Sequence, residues 1–361
     1  MGILGKTMYE RIEKFNKAAL RLDFSQLPTG LYHGKMGLCV YFYELADLIS
    51  EEKYRFIAEK LFDDIVTQIA ETVKIDPPEG LTGICMAVNF LINSGYINGN
   101  PNHVLKDFDN KILKSLLFLY IPEFNPDIDR LQKVLGSLSY LTVRLQNTRL
   151  TKNERDIMKG VIIEIINKFE SLNIDKFTEP AHFSITEYFI SHYLQLLQRI
   201  YRLDFYNYKI EKIIDGFSFR LLSLYPMYQA NRLSLSSLMQ ELNTLLGGIT
   251  GWDRHIELLQ QNIDVSWIIN DFRNKDMSFE RGLCGFYFLL RKIGLNRKYQ
   301  DQFIHKIEIS DNWNHYLELD NDYIHTFSLY SGAPGVILTY LHLLNRGNAL
   351  SFFDSVIGQY C

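Results

Sequence analysis

His33, Glu79, Gln132, His182, the pair Glu280 and Arg281, and the pair Tyr330 and Ser331 each stand just ahead of a recurring two-glycine turn or a degenerate copy of one. Acids, cations and aromatic rings at equivalent places around one cavity would suit a peptide or sugar-like ligand, held by hydrogen bonds and stacking. His33 is the best single candidate for general acid–base work, because it adjoins a well-formed turn and an imidazole titrates near neutrality. The Arg281 guanidinium beside Glu280 offers a planar fork for a carboxylate or a backbone carbonyl. Against these readings stands the ordinary one, in which the same residues are caps and interhelix ion pairs.

The turns that would position them recur along the chain as Gly-x-x-Gly followed by an apolar segment. Clear copies begin at Gly34 and Gly37, Gly80 and Gly83, Gly248 and Gly251, Gly282 and Gly285, and Gly332 and Gly335. Two degenerate copies fill the long gap after Gly83, with Lys133 and Gly136 at the glycine places of the third and Ser184 and Glu187 at those of the fourth. Seven units of about 50 residues are the size of helical hairpin repeats. Segments such as "LCVYFYEL" and "VILTYLHLL" are apolar on nearly all faces and are expected to be buried on all sides. Between them lie amphipathic segments. In "DIMKGVIIEIINKFESL", Ile157, Val161 and Ile165 form one stripe beside Ile162, Ile166 and Phe169, with charges opposite. The pattern predicts an inner and an outer ring of helices. Free amides at the inner helix starts would give a polar rim, which is the candidate site.

Composition narrows the function. Hydrophobic residues are 47% of 361 and no linker or low-complexity tract divides them, so a single domain over 1–361 with a sizeable core is expected. A net charge of −4 without a basic block leaves no electrostatic footprint for nucleic acid. No apolar run approaches the roughly 20 residues that span a bilayer, and "MGILGKTMYERIEKF" has no signal-type apolar region, so a cytoplasmic location is expected. Cys39, Cys85, Cys284 and Cys361 show no Cys-x-x-Cys spacing, which fits a reducing compartment. Cys39 and Cys85, two places after a second glycine, read as small packed residues, whereas Cys284 lies within its turn and keeps an alternative as ligand or nucleophile.

Seven such hairpins, with "GLYHGKMGL" at the first and "SLYSGAPGV" at the last, resemble the lanthionine synthetase C-like family of lanthipeptide cyclases. The resemblance implies an all-α fold, an α/α toroid of seven inner and seven outer helices, and a peptide or a modifying-enzyme partner. It also implies a zinc ion held by two cysteines and a histidine, which activates a peptide thiol for addition to a dehydrated serine or threonine. The family's first cysteine falls on Leu246, and its Cys-His pair on Glu280 and Arg281. Leucine cannot ligate and arginine is a fixed cation, so no cofactor is expected, and zinc only with other ligands. The family's acid–base positions fall on Asp129 and, one residue away from Phe183, on His182.

Three functions follow. The first is a zinc-free peptide-binding protein or degenerate cyclase of lanthipeptide-type modification, with Glu79, Glu280, Arg281, Tyr330 and Ser331 as ligand contacts. The second is an active cyclase or thiol-addition enzyme with relocated ligands such as Cys284 and His33. The third is a sugar-active toroid enzyme with paired carboxylates among Glu79, Asp129 and Glu280.

Overall fold

The computed structural model describes residues 5–72, 74–120, 128–146, 149–170, 182–270, 276–317, 323–345 and 351–359. The first helices are α1 (Lys6–Ala19), α2 (Lys35–Ile49), α3 (Glu52–Gln68), α4 (Leu81–Asn93), α5 (Pro101–Val104) and α6 (Lys106–Tyr120). Next come α7 (Ile128–Leu145), α8 (Lys152–Glu170), α9 (Phe189–Arg202), α10 (Asn207–Leu221), α11 (Gln229–Leu245), α12 (Trp252–Gln260) and α13 (Val265–Asn270). The last are α14 (Leu283–Lys292), α15 (Asn296–Ile309), α16 (Asn312–Leu317), α17 (Tyr323–Thr326), α18 (Ala333–Leu344) and α19 (Phe352–Gln359). Among the described residues there is no strand, and no helix is long and apolar enough to cross a membrane.

The described residues divide into two compact units, one from Met1–Leu105 and Ser266–Gly358, the other from Lys106–Val265 and Gln359–Cys361. In the first unit α2 is buried without a break from Lys35 to Ala46, and α18 from Ala333 to Leu343. Helices apolar on every face require cover on every face. Partners with a single apolar stripe provide it: α3 buries only Tyr54, Ala58, Leu61 and Ile65 and packs on α2, and α15 buries Phe303 and Ile307 against α14 and α18. The second unit repeats the scheme, with α7, α9 and α11 in succession and α8, α10 and α12 packed on them. The buried stripe of α8 runs through Met158, Val161, Ile162, Ile165, Ile166 and Phe169. Ile157, expected on that stripe, is exposed, because it lies at the edge of the apolar arc in the second turn and Met158 takes the central place.

Charges enter these cores only with partners. Arg144 of α7 donates from Nε (3.0 Å) and Nη2 (2.9 Å) to Asp109 of α6, whose other oxygen accepts from Tyr140 at 2.6 Å. Lys35, the first residue of α2, is buried and donates to Asp64 at 2.5 Å and to Gln68 at 3.0 Å. Near the other end of α2, buried Glu44 accepts the Phe352 amide of α19 at 2.7 Å, and His342 of α18 lies 3.9 Å away. Burial pushes the Glu44 carboxyl up to about 8, against the amide, while the Asp354 and Asp47 charges add to the rise. Burial and the Arg291 charge push His342 down to about 4.

The glycine at a helix cap has a steric reason. A methyl group on Gly332 would overlap the carbonyl oxygens of His325 and Thr326, and one on Gly335 that of Leu329; Gly34, Gly80 and Gly282 are enclosed by backbone in the same way. Gly160 of α8, by contrast, has open space around it. Gly332→Ala is therefore expected to lower stability by about 1–3 kcal/mol or more. Gly160→Ala is expected to raise it by about 0.5–1 kcal/mol through helix propensity; urea midpoints moving in the same direction for both would refute the steric account. Unfolded, Glu44 ionises near 4.5, whereas in the folded protein it holds its proton to about pH 8, so this residue lowers stability as pH rises across that window. His342 acts oppositely, but only below its unfolded value of 6.5. Between pH 6.5 and 8 the native chain should lose stability and Glu44→Gln should lose less, as read by denaturant titrations at the two pH values.

Candidate functional site

The loops that enter the inner helices of the first unit draw on one hydrogen-bond scheme, parts of which recur before α9. The first helical amide reaches the carbonyl seven residues back, as in Lys35 to Pro28 (2.8 Å), Leu81 to Lys74 (2.9 Å) and Leu283 to Asp276 (3.0 Å). The cap amide reaches the carbonyl four residues back, as in Gly80 to Asp76, Gly282 to Ser278 and Gly332 to Ser328. At that same place a side-chain oxygen accepts the amide of the residue just before the cap. Asp76 takes Glu79 (2.9 Å), Ser184 takes Glu187 (3.0 Å), Ser278 takes Arg281 (3.2 Å) and Ser328 takes Ser331 (3.0 Å). Such turns satisfy backbone donors locally and hold the residue before the cap in one conformation.

This scheme corrects three of the repeats. The cap of the fourth inner helix is Tyr188, so the glycine places fall on Tyr188 and Ser191 rather than on Ser184 and Glu187. Ser184 closes the preceding turn, and Glu187 takes the place before the cap that Phe183, which is buried, was expected to hold. Lys133 and Gly136 lie inside α7, where no turn exists. Gly248 and Gly251 have φ of +100° and +85° and join α11 to α12, after the inner helix rather than before it. The fifth inner helix is α11, capped by Tyr228, so the residue before its cap is the exposed Met227, and the family's first cysteine place falls on Pro226. Leu246 sits at the other end of that 17-residue helix, about 25 Å away. The spacing of Asp76, Ser184, Ser278 and Ser328 four residues before their caps was a signal in the sequence for Glu187, but Met227 had none, since Leu224 stands four residues before Tyr228.

In the first unit the loops before α14, α18, α2 and α4 are tied in that order. Glu280 N–H donates to Tyr330, Leu329 N–H to Tyr32 and Tyr32 N–H to Pro78, each at 3.0 Å. Tyr32 stacks on Tyr330 at 3.7 Å, and Phe279 meets Tyr330 edge-on at 5.0 Å. The structure thus brings His33, Glu79, Glu280, Arg281, Tyr330 and Ser331 onto adjoining loops, with Tyr330 fully buried as a packing residue. His325 joins them, its ring 5.5 Å from that of His33 and its Nδ1 3.4 Å from the Ser331 hydroxyl. Glu79 is exposed and forms an ion pair with Lys74.

Proton economy assigns the His33 tautomer. Ser328 Oγ lies 2.7 Å from the Tyr32 carbonyl and 2.9 Å from His33 Nδ1, two contacts that need two protons. The hydroxyl has one, which goes to the carbonyl, so Nδ1 carries the other, shared on an oxygen that also accepts the Tyr330 and Ser331 amides, and Nε2 keeps its lone pair. Burial holds the His33 pKa below its ordinary 6.5, and the nearby His325 and Arg281 act in the same direction, with Glu79 opposing. At neutral pH His33 is therefore a neutral imidazole with Nε2 as acceptor.

In the second unit Gln132 donates to the Glu187 carbonyl at 2.5 Å, and His182 Nε2 lies 3.1 Å from the Glu187 carboxylate. Asp129 is exposed in the first turn of α7, three residues before Gln132.

Cys284 is buried in the first turn of α14, and burial pushes its thiol up to about 12 despite the Thr339 hydrogen bond. A thiol so placed stays protonated at neutral pH. Cys39 and Cys85 are buried in α2 and α4; Cys361 lies outside the described residues. Among the described residues no group of three His, Cys, Asp or Glu side chains is placed to hold a metal ion. With Pro226, Glu280 and Arg281 at the family's ligand places, the donor set does not fit zinc.

The tautomer is open to measurement. Long-range nitrogen–proton spectra of ¹⁵N-histidine-labelled protein should show His33 protonated on Nδ1 at pH 7 and titrating below 6.5. Ser328→Ala should mix the tautomers, and an Nε2-protonated His33 in the native protein would refute the proton count.

No family model and no curated protein is matched by this sequence. Among solved structures the chain is similar to nisin cyclase, with a TM-score of 0.65 over 99% of this chain and 98% of that one, at 13% identity. At that identity the likeness shows the fold, which is the all-α helical toroid class of nisin cyclase.

Proposed function

We propose that this chain binds a peptide of the lanthipeptide-modification class at the loops that cap its inner helices, and that it does so without a zinc–thiolate centre. The observation that carries the reading is the occupant of the sixth repeat, where Glu280 and Arg281 stand at the places of the family's metal ligands on a fold similar to nisin cyclase along nearly its whole length. A guanidinium at that place recognises rather than activates, because it donates hydrogen bonds in a fixed plane and cannot lower the pKa of a peptide thiol as a metal does. His33 Nε2 adds an acceptor for a peptide amide or hydroxyl, and Ser331 a hydroxyl that serves as donor or acceptor. The stack of Tyr32 on the buried Tyr330 holds these loops in register. Cytoplasmic location and association with a modifying enzyme belong to the same proposal.

The test uses a synthetic peptide that carries one dehydroalanine and one cysteine. Calorimetry should detect binding, and Arg281→Ala should weaken it about tenfold, the loss of one charge-assisted hydrogen bond of about 1.5 kcal/mol. Thiol alkylation followed by mass measurement should find the free cysteine retained after incubation, with or without added zinc. Thioether formation, or no binding, would overturn the proposal.

A further inference from the structure

The start of α19 places two adjacent rings inside the first unit. Phe352 and Phe353 are both fully buried, and Phe352 stands edge-on to Phe90 of α4 at 5.2 Å. Phe353 stacks on Phe279 at 3.9 Å and lies 5.2 Å from Phe288 of α14; its Cζ would be 3.3 Å from a methyl group on Gly335. The ring thus packs against the second glycine of the last inner helix. Phe279 directly precedes Glu280 and Arg281 and meets Tyr330 edge-on, and Tyr330 stacks on Tyr32, which precedes His33. Ring contact is therefore continuous from α19 to the loops of Arg281, Ser331 and His33, and packed rings pass a displacement on rather than absorb it.

Polar contacts hold the same end of α19. The Phe352 amide donates to Glu44 at 2.7 Å, the Ser351 amide to Asp354 at 2.9 Å, and Arg291 of α14 pairs with Asp354 at 2.8 Å. Around Glu44 stand Asp47 of α2, which accepts from Arg55 of α3, Tyr96 after α4, His342 of α18, and Ser351 and Asp354.

We infer that α19 is a brace anchored on Glu44, and that Phe353 is the positioning residue through which its docking holds the loop of Glu280 and Arg281 in the form that binds the peptide. What the loop binds rests on the peptide reading above; the brace itself does not. Glu44 holds its proton to about pH 8 while α19 covers it, whereas a carboxyl opened to water ionises near 4.5, so rising pH favours release of the helix. His342, held down to about 4, acts in the opposite direction and only below 6.5.

Hydrogen exchange of the full chain at pH 6.5 and 8, corrected for the intrinsic rate at each pH, reads the Phe352 amide, which Glu44 accepts, and the Glu280 amide, which the Tyr330 carbonyl accepts. Protection at Phe352 should fall about tenfold in the native chain, with that at Glu280 following it, and by less than about twofold in Glu44→Gln. Phe353→Ala should lose protection at Glu280 at both pH values while the amides of α8 keep theirs; if that variant fails to fold, the comparison of native chain with Glu44→Gln decides. Phe352 protection independent of pH, Glu280 protection that does not follow it, or an equal loss in α8, which marks global unfolding, would overturn the inference. In a second arm the dehydroalanine peptide at about ten times its Kd should raise Phe352 protection about tenfold, because a ligand that needs the docked form stabilises it by mass action. Binding without that rise would overturn the brace and leave the peptide reading standing. No binding, with the pH responses as expected, would overturn the peptide reading and leave the brace standing.

Discussion

The organisation of the first unit depends on the space that its cap glycines leave. At Gly332 the place of a side chain is filled by the carbonyl oxygens of His325 and Thr326, and at Gly80 by the backbone of Lys74 and Asp76. The loop therefore folds back against the first turn of the helix it enters. That return lets the first helical amide find a carbonyl seven residues earlier, so donors that a helix start leaves open are met inside the loop. It also fixes the residue before the cap at Glu79, Arg281 and Ser331, whose amides a local Asp or Ser accepts.

The caps in the second unit follow another rule. Tyr188 and Tyr228 have φ near −80° with ψ of 86° and 127°, whereas the glycine caps at Gly34, Gly80, Gly282 and Gly332 have ψ between −160° and −171°. Neither tyrosine cap lies in the left-handed region, so neither position demands a glycine. Both kinds of cap start helices of the same inner type, buried along most of their length.

Electrostatics then separates the two ends of the inner helices of the first unit. At the cap end His325 and Arg281 are exposed and His33 is half-buried. At the other end Glu44 and His342 are buried and held near neutrality by desolvation, with the Phe352 amide and the Arg291–Asp354 pair around them. The buried carboxyl of Glu44 meets α19 through the Phe352 amide, whereas Arg281 and His325 at the loops are exposed.

The all-α repeat was legible because apolar residues on every face of segments such as "VILTYLHLL" have no other stable placement than a helix covered all round. So were the caps at Gly34, Gly80, Gly282 and Gly332 and the side chains before them, His33, Glu79, Arg281 and Ser331. Glu187 and Met227 were not, because their repeats carry tyrosine caps, and Gly248 and Gly251 imitated the motif from a helix-to-helix turn with positive φ. His325 was hidden because it reaches the site from α17, outside the repeat, through contacts with Ser331 and His33. The sequence by itself determined the helices and most of the residues that stand before the inner-helix caps, since both follow from local periodicity and spacing. Only the tertiary structure decided which glycines cap inner helices and which tautomer His33 adopts. A glycine reports that some backbone comes close without saying which, and a proton is assigned only when every partner of its hydrogen bond is in place.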